Sequence, residues 1–243
     1  MRVDVVELPK SLRPEHLNCR AVVVFDVLRA TTTMVSAIAA GAREVRVFDS
    51  LDVASAAAKS FEGGAKLLCG ERNCLPPAGF DLGNSPGDFK SDRVKGSTIF
   101  LSTTNGTRAI VAANAATSRL VAGLINRRAT AEALLQMKLD VTLLCAGTNQ
   151  EPAPEDLLGA GAVIHSLNEL TAVALNSVAI RAGGAFHDAR EDLVGFLRST
   201  AGGRNVIDAG LEQDIVFASR LDAVGTVVEV SGDPPVARRM IGR

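Results

Sequence analysis

The sequence predicts an α/β fold, a doubly wound and mostly parallel sheet flanked by helices, with a smaller helix-rich C-terminal part. Short β-branched runs alternate with alanine-rich stretches through the first two-thirds of the 243 residues, a pattern typical of successive strand–helix units. Several runs, such as residues 21–25, are continuously apolar, as expected of parallel strands that helices cover on both faces. A chain of this length with 47% hydrophobic residues can bury a substantial core.

The predicted elements follow one another regularly as far as residue 155. Strands are predicted at residues 3–7, 21–25, 44–48, 66–69, 98–102, 119–122 and 140–145. Helices are predicted between them at residues 31–40, 51–60, 107–116 and 129–138. Later helices are predicted at residues 157–169, 188–200 and 205–221, with a break at Gly202 and Gly203 and one late strand at 226–230. This change of pattern predicts an α/β domain over residues 1–182 and a smaller part over residues 183–243.

The overall composition excludes several classes of function. The chain has 26 basic and 27 acidic residues, whereas a nucleic-acid-binding domain usually carries a basic excess. The composition of nine Phe with no Trp or Tyr argues against a base-stacking platform. No apolar run has the length of a signal peptide or a membrane span, so a cytoplasmic location is expected. The four cysteines form no C-x-x-C pair and no zinc-ligand spacing, and we interpret them as small hydrophobic residues.

The first candidate site residues follow the strand that ends at Phe25. In open parallel sheets, ligands bind beyond the carboxyl ends of the strands. Asp26 at this position could bind a metal ion or attack phosphorus, and the guanidinium of Arg29 suits a phosphate or sulfonate. Thr31 lies at the start of a predicted helix, where free amides favour an anion. The alternative is that Asp26 or Thr31 only caps this helix, which does not account for Arg29.

A long loop follows the strand predicted at residues 66–69. Residues 70–86 are rich in Gly and Pro and show no periodicity, and loops of this length within a compact domain are often functional. Glu71 is a candidate metal ligand, while Asn84 and Ser85 precede Pro86 in what resembles a helix start. The alternative is a purely structural Ω-loop.

A cluster of hydroxyl groups follows the strand predicted at residues 98–102. The composition after it favours a strand–turn–helix arrangement in which backbone amides and hydroxyls hold phosphate oxygens. The residues concerned are Thr103, Thr104, Asn105, Gly106 and Thr107, with Arg108 as a further source of positive charge. The alternative is that Asn105 simply caps the helix, which leaves the hydroxyls unexplained.

Two acidic residues begin the helix predicted after residue 155. Glu155 and Asp156 follow a Gly- and Pro-rich loop at the end of the strand predicted at 140–145. The helix dipole alone favours acids at this position, and this alternative stays open. Together with Asp26 and Glu71, these carboxylates form an oxygen-only set of ligands that suits magnesium.

Familiar catalytic motifs are absent, but the four segments together resemble one family. The chain contains no P-loop, no nucleophile-elbow serine and no phosphatase cysteine loop. The matching runs are DVLRATT at 26–32, GER at 70–72, GFDLGNSP at 79–86, TTNGT at 103–107, CAG at 145–147, ED at 155–156 and DI at 214–215. In order and spacing they resemble the 2-phosphosulfolactate phosphatase family of coenzyme M biosynthesis.

The resemblance implies an α/β fold, a bound Mg²⁺ and hydrolysis of a small anionic phosphate monoester to sulfolactate and phosphate. We expect Asp26, Arg29 and Arg108 to be catalytic, Asp26 being either a nucleophile or a group that orients a metal-activated water. The expected metal ligands are Asp26, Glu71, Glu155 and Asp156, and the expected substrate-binding residues are Thr31, Asn84, Ser85 and residues 103–107. A non-catalytic anion-binding protein and a nucleotide-dependent transferase are the alternatives. A symmetric homodimer is also expected, since small α/β enzymes often form one.

Overall fold

The computed structural model describes residues 1–241 of the chain and divides them into ten strands and ten α-helices. The strands are β1 (Arg2–Val6), β2 (Arg20–Phe25), β3 (Glu44–Phe48), β4 (Lys66–Gly70), β5 (Thr98–Ser102), β6 (Ser118–Ala122), β7 (Asp140–Cys145), β8 (Ala174–Leu175), β9 (Val228–Ser231) and β10 (Val236–Arg239). The helices are α1 (Ala30–Ala39), α2 (Leu51–Lys59), α3 (Ser91–Val94), α4 (Gly106–Ala112), α5 (Arg127–Met137), α6 (Pro154–Leu170), α7 (Ser177–Ala189), α8 (Leu193–Ser199), α9 (Ala201–Asp208) and α10 (Gln213–Ala218).

All ten strands belong to one sheet in the order β4-β5-β3-β10-β9-β6-β2-β7-β1-β8. The predicted α/β class with a mostly parallel sheet is confirmed. Strands β4, β5 and β3 form one parallel block, and β6, β2, β7, β1 and β8 form a second. The hairpin β9–β10 joins the blocks through three successive antiparallel pairings, so the two blocks run in opposite senses along the sheet.

The twist of the sheet brings the carboxyl ends of the two blocks to the same side of the molecule. Five pairings separate β2 from β5, and at about 20–25° per pair the strand direction turns by roughly 100–125°. A rotation of this size leaves roughly 55–80° between the strand directions of the two blocks instead of 180°. Residues that follow β2, β4, β5 and β7 can therefore meet around one cavity.

Helices cover both faces of the sheet, and the alternating side chains of β2 show how. Ala21, Val23 and Phe25 pack into a core formed with residues of α5, α6 and α7. Val22 and Val24 pack on the opposite face with residues of α1 and α4. Because both faces are covered, every residue of β2 is buried, which explains the continuously apolar sequence of this strand.

The helical region after residue 175 differs from the sequence prediction. The break expected at Gly202 and Gly203 is wrong, since both residues lie inside α9. Their lack of a side chain serves close packing. A Cβ on Gly203 would lie 1.8 Å from the Leu197 carbonyl oxygen, and one on Gly202 would lie 1.9 Å from Glu155 Oε1. The helix expected at 205–221 is two helices, α9 and α10, and the one expected at 188–200 contains the end of α7 and all of α8.

The C-terminal part contributes to the same sheet as the rest of the chain. The division expected between residues 182 and 183 falls inside α7, and β9 and β10 pair with β6 and β3. The two-part division stays a prediction, and residues 242–243 of its second part lie outside the described residues. Of the helices in residues 1–241, none combines the length and the apolar character that a bilayer span requires.

Candidate active site

A cavity of about 550 Å³ lies at the carboxyl ends of four strands. Its walls include Asp26 after β2, Glu71 after β4, Thr103 after β5 and Thr148 after β7, while Asn205 of α9 closes another side. Cavities of this size hold small metabolites. Polar groups from four separate predicted junctions thus meet in one place, as the rule for open α/β sheets anticipates.

Asp26 is the most strongly perturbed acid that faces the cavity. The residue is only 8% exposed, and its Oδ1 accepts a hydrogen bond from the Ala30 amide at 3.1 Å. Burial raises the pKa of Asp26 to about 6, and the negative charges of Glu71 and Glu155 act in the same direction. Asp26 therefore accepts a hydrogen bond from the first amide of α1, although the N-cap position itself is Arg29, and it also presents a carboxylate to the cavity.

Thr31 supports Asp26 from behind and does not reach the cavity. Its hydroxyl accepts a hydrogen bond from the Asp26 amide at 3.0 Å and lies 2.7 Å from the Ala122 carbonyl oxygen. The Thr31 side chain is completely buried. It fixes the backbone from which the Asp26 side chain projects.

Gly106 permits the closest approach of the segment after β5 to Asp26. A Cβ at this position would lie 2.8 Å from Asp26 Oδ2 and 2.6 Å from the Ala30 Cβ. The Gly106 amide hydrogen-bonds to the Asp26 carboxylate and opposes the rise of its pKa. A side chain here would displace the carboxylate.

The hydroxyl cluster after β5 is partly in the cavity and partly behind it. Thr103, Thr104 and Asn105 line the cavity. Thr107 is fully buried, and its hydroxyl contacts the Thr103 hydroxyl at 3.2 Å and accepts from the Thr103 amide. Asn105 occupies the N-cap position of α4 without a capping side-chain bond. Arg108 is exposed and is not among the residues of the described chain that line the cavity.

Glu71 ties this segment to the loop after β4. Its Oε1 accepts hydrogen bonds from the Thr104 amide at 3.0 Å and the Thr104 hydroxyl at 2.6 Å. Its Oε2 accepts from the Cys74 amide at 3.1 Å. Both carboxylate oxygens of Glu71 therefore already have protein donors.

Glu155 and Asp156 differ in how their charges are accommodated. Asp156 accepts hydrogen bonds from the Val27 amide at 2.8 Å and the Gly147 amide at 3.0 Å. Glu155 lies directly beneath Gly202, and its buried Oε2 has no hydrogen-bond partner. Burial raises the pKa of both carboxyls, most strongly that of Asp156, which also feels the negative charges of Asp26 and Glu155.

The oxygen atoms of these side chains suit a hard cation, although they do not supply a complete set of metal ligands. Within residues 1–241, no group of three or more His, Cys, Asp or Glu side chains is arranged to hold a metal ion. Two buried oxygens in this region, Glu155 Oε2 and Asn84 Oδ1, lack partners, and Asn84 lines the cavity with Asp26. Mg²⁺ is commonly bound by one or two carboxylates with water and substrate phosphate completing its shell. The residues present fit this mode of binding.

Arg29 lies on the cavity wall and makes three hydrogen bonds to the protein. Its NH1 donates to Asp214 at 2.6 Å and to Ser85 at 3.2 Å, and its NH2 donates to the Cys74 carbonyl at 2.6 Å. Ser85 occupies the N-cap position of the short 3₁₀ helix Pro86–Asp88, but its hydroxyl donates to Asp214 instead of capping it. The positive charge of Arg29 is thus already balanced by a buried carboxylate.

Several residues of the cavity were not predicted from the sequence. Those with polar side chains are Asn73, Cys74, Thr148, Asn149, Asn205 and Asp208. Asn73 with Cys74, and Asn149 with Gln150, have positive φ at the tips of two tight turns bridged by Arg72–Leu75 and Thr148–Glu151. An Asn as the first residue of such a tip is a usable sequence signal, whereas nothing in the local sequence of α9 points to Asn205.

Comparisons with known proteins agree on one family. A family model described as 2-phosphosulpholactate phosphatase matches residues 6–233. A protein of Carboxydothermus hydrogenoformans named "Probable 2-phosphosulfolactate phosphatase" is 36% identical over 230 residues, 94% of this chain and 93% of the relative. Proteins with the same name from Thermotoga petrophila and a Cyanothece species are 37% and 33% identical. The first match covers 93% of both chains, and the second covers 97% of this chain and 98% of the relative.

Proposed function

Because this chain belongs to the 2-phosphosulfolactate phosphatase family, we propose that it hydrolyses 2-phospho-3-sulfolactate to sulfolactate and phosphate with Mg²⁺ bound. The resemblance found in the sequence is confirmed at the level of the family, and the chain is a phosphoric monoester hydrolase. The substrate named here is that of the family, and the magnesium requirement is our proposal from the chemistry of the cavity.

The observation that carries the proposal is a buried carboxylate facing hydroxyl and amide groups across one small cavity. Asp26, with a pKa of about 6, is largely ionised at neutral pH and basic enough to take up a proton during the reaction. Thr103, Thr104 and Asn105 line the wall that receives the phosphoryl group. In hydrolysis, the water oxygen bonds to phosphorus, the ester P–O bond breaks, and the alcohol leaves with a proton.

Asp26 can serve this reaction in two ways. It can attack phosphorus itself, forming an acyl phosphate that water then cleaves, or it can orient and deprotonate the attacking water. The hydrogen bonds from Ala30 and Gly106 hold the carboxylate in place for either role. Trapping of a phosphoenzyme by rapid quench, absent in Asp26→Asn, would support attack by Asp26.

Among the four acids of the expected metal site, Asp26 and Glu155 are the residues that we propose to hold Mg²⁺. Asp26 lines the cavity, and Glu155, whose negative charge acts on Asp26, has an Oε2 atom with no hydrogen-bond partner. A bound magnesium ion would neutralise charge on the phosphoryl oxygens. Without a cation, a substrate carrying phosphate, carboxylate and sulfonate would meet the negative charges of Asp26, Glu71 and Asp208 on the cavity wall.

The test is phosphate release from a panel of phosphate esters in the presence of Mg²⁺ or EDTA. The panel contains 2-phosphosulfolactate, 2-phospholactate, which lacks the sulfonate, and a nucleoside triphosphate. We expect phosphate release from 2-phosphosulfolactate that EDTA abolishes and added Mg²⁺ restores. Asp26→Asn should be inactive. The control Asp4→Asn, which changes a buried aspartate paired with Arg20 away from the cavity, should be active. No release from any ester would favour the anion-binding alternative, and transfer from the nucleotide would favour the transferase.

A further inference from the structure

A cluster of three side chains, two of them buried, connects the helix α10 to the cavity wall. Asp214 Oδ2 accepts hydrogen bonds from Arg29 NH1 at 2.6 Å and from the Ser85 hydroxyl at 2.8 Å, and Arg29 NH1 also donates to Ser85 at 3.2 Å. The three groups therefore close a triangle. Asp214 is 5% exposed and Arg29 is 3% exposed, so water does not screen their charges. Asp214 itself does not line the cavity.

The triangle continues into the turn over residues 72–75, which forms part of the cavity wall. Arg29 NH2 donates to the Cys74 carbonyl at 2.6 Å, and the Cys74 amide donates to Glu71 Oε2 at 3.1 Å. Glu71 Oε1 then accepts from the Thr104 amide and hydroxyl. An unbroken series of hydrogen bonds thus runs from α10, through the 72–75 turn, to the segment that receives the phosphoryl group.

We propose that Asp214 is a positioning residue that acts through Arg29 on this wall of the cavity. Its carboxylate neutralises Arg29 and orients the guanidinium so that NH2 faces the Cys74 carbonyl. The turn holds its Asn73 and Cys74 with positive φ and is closed by the Arg72–Leu75 backbone pair and by the Cys74 amide bond to Glu71. The bond from Arg29 NH2 to the Cys74 carbonyl then ties the turn to α10 through Asp214. Loss of the Asp214 charge leaves Arg29 buried and unpaired, and such a group moves toward a new partner or toward water.

The position of the turn can be measured without any substrate, through the reactivity of Cys74. Cys74 is half-buried, Cys19 is exposed, and Cys69 and Cys145 are buried. In a Cys19→Ser background, alkylation by a neutral maleimide therefore reports on Cys74. The matched control is Asp4→Asn, which breaks the buried Asp4–Arg20 pair of 2.9 Å without touching the turn.

We expect Asp214→Asn to raise the alkylation rate of Cys74 by about tenfold or more and Asp4→Asn to leave it within about twofold, since only the first loosens the turn. Burial is the main reason why the pKa of the Cys74 thiol is raised, and the charge of Asp214 adds to it, so removing this charge also lowers that pKa. Ser85→Ala separates the two effects, since it opens the triangle and changes no charge. Its expected rate lies between those of the parent and Asp214→Asn. An unchanged alkylation rate in Ser85→Ala would overturn the proposal, and so would a rise in Asp4→Asn equal to that in Asp214→Asn. If Asp214→Asn fails to fold, the result for Ser85→Ala alone decides.

The activity arm of the experiment depends on the proposed phosphatase function. The variants are compared at temperatures equally far below their Tm values. Under these conditions Asp214→Asn is expected to lower kcat by about tenfold with a smaller change in KM, because displacement of the cavity wall misplaces the reacting group. Asp4→Asn should keep the parental kcat. If the parent releases no phosphate while Cys74 still responds to Asp214→Asn, the proposed function fails and the positioning role stands. Equal loss of kcat in both variants would show that Asp214 contributes to stability alone.

Discussion

Replacement of Asp26 by Asn should abolish hydrolysis and at the same time stabilise the metal-free protein at neutral pH. Asp26 is buried, and its pKa is raised from 3.8 to about 6 by burial and by the charges of Glu71 and Glu155. The ionised side chain is therefore less favourable in the folded state than in the unfolded one. An amide of the same shape carries no charge and escapes this cost, although it cannot act as the carboxylate that we propose for catalysis.

The magnitude follows from the pKa. Because the folded pKa lies above the unfolded one, the folded state binds the proton more tightly, so stability falls as pH rises from 3.8 to about 6. Above that window the ionised carboxylate costs about 3 kcal/mol. Asn can keep the bond from the Ala30 amide but places an N–H against the Gly106 amide, which costs about 1 kcal/mol. The net gain of about 2 kcal/mol corresponds to a rise in Tm of about 4–8 °C for a chain of this size.

The assay is thermal unfolding of wild type and Asp26→Asn in EDTA, at about pH 7.5 and again near the unfolded pKa, where the penalty on Asp26 disappears. The advantage of the variant should shrink as the pH falls. Asp4→Asn is the control, and its expected effect on Tm has the opposite sign. Asp4 is also buried but is paired with Arg20 at 2.9 Å, so the loss of its charge should lower Tm. A Tm of Asp26→Asn at or below that of the wild type at about pH 7.5, or a difference independent of pH, would refute the reasoning.

Two further predictions concern the segment after β5. Gly106→Ala places a Cβ 2.8 Å from Asp26 Oδ2 and should lower kcat by more than about tenfold and the free energy of unfolding by about 1–3 kcal/mol. The control is Gly184→Ala in α7, where a Cβ meets nothing within 4 Å. This control should keep full activity and a Tm at or above the parental value. Thr104→Val removes the 2.6 Å hydrogen bond to Glu71 and should lower kcat/KM by about tenfold with little change in Tm. An unchanged kcat/KM would show that this contact does not order the cavity wall.

The strands were predicted well because local sequence determines them. Continuous apolar runs such as β2 and β7 have both faces covered, and their limits in the structure lie within one residue of the predicted ones. The hairpin partner β10 (Val236–Arg239) was missed because half of its residues are exposed and its pairing with β3 is visible only in three dimensions. The break predicted in α9 failed for a related reason. Gly202 and Gly203 allow close contact with distant residues, and no local pattern distinguishes such a glycine from a helix terminator.

The sequence predicted those candidate site residues that directly follow a strand. It did not predict how their side chains pair with residues distant in the chain. The sequence identifies Asp26, Glu71 and Thr103 as polar groups after strands, and the structure places all three on one cavity. It does not reveal that Arg29 is paired with Asp214, 185 residues away in the chain. The role of Arg29 as an anion ligand stays a prediction, and the structure adds that three of its hydrogen bonds hold the protein together around the cavity.

The C-terminal segment over residues 201–241 is required both for the sheet and for the cavity. Strands β9 and β10 join the two parallel blocks, and without them the edges of β3 and β6 would be exposed and the blocks would lose their relative twist. Within the same segment, α9 supplies Asn205 to the cavity and covers Glu155, and α10 supplies Asp214 to Arg29. Residues of the first block and of the second therefore face each other only once the last strand has paired. The active site is a product of the complete fold, and truncation within this segment should remove it even if the first strands still pair.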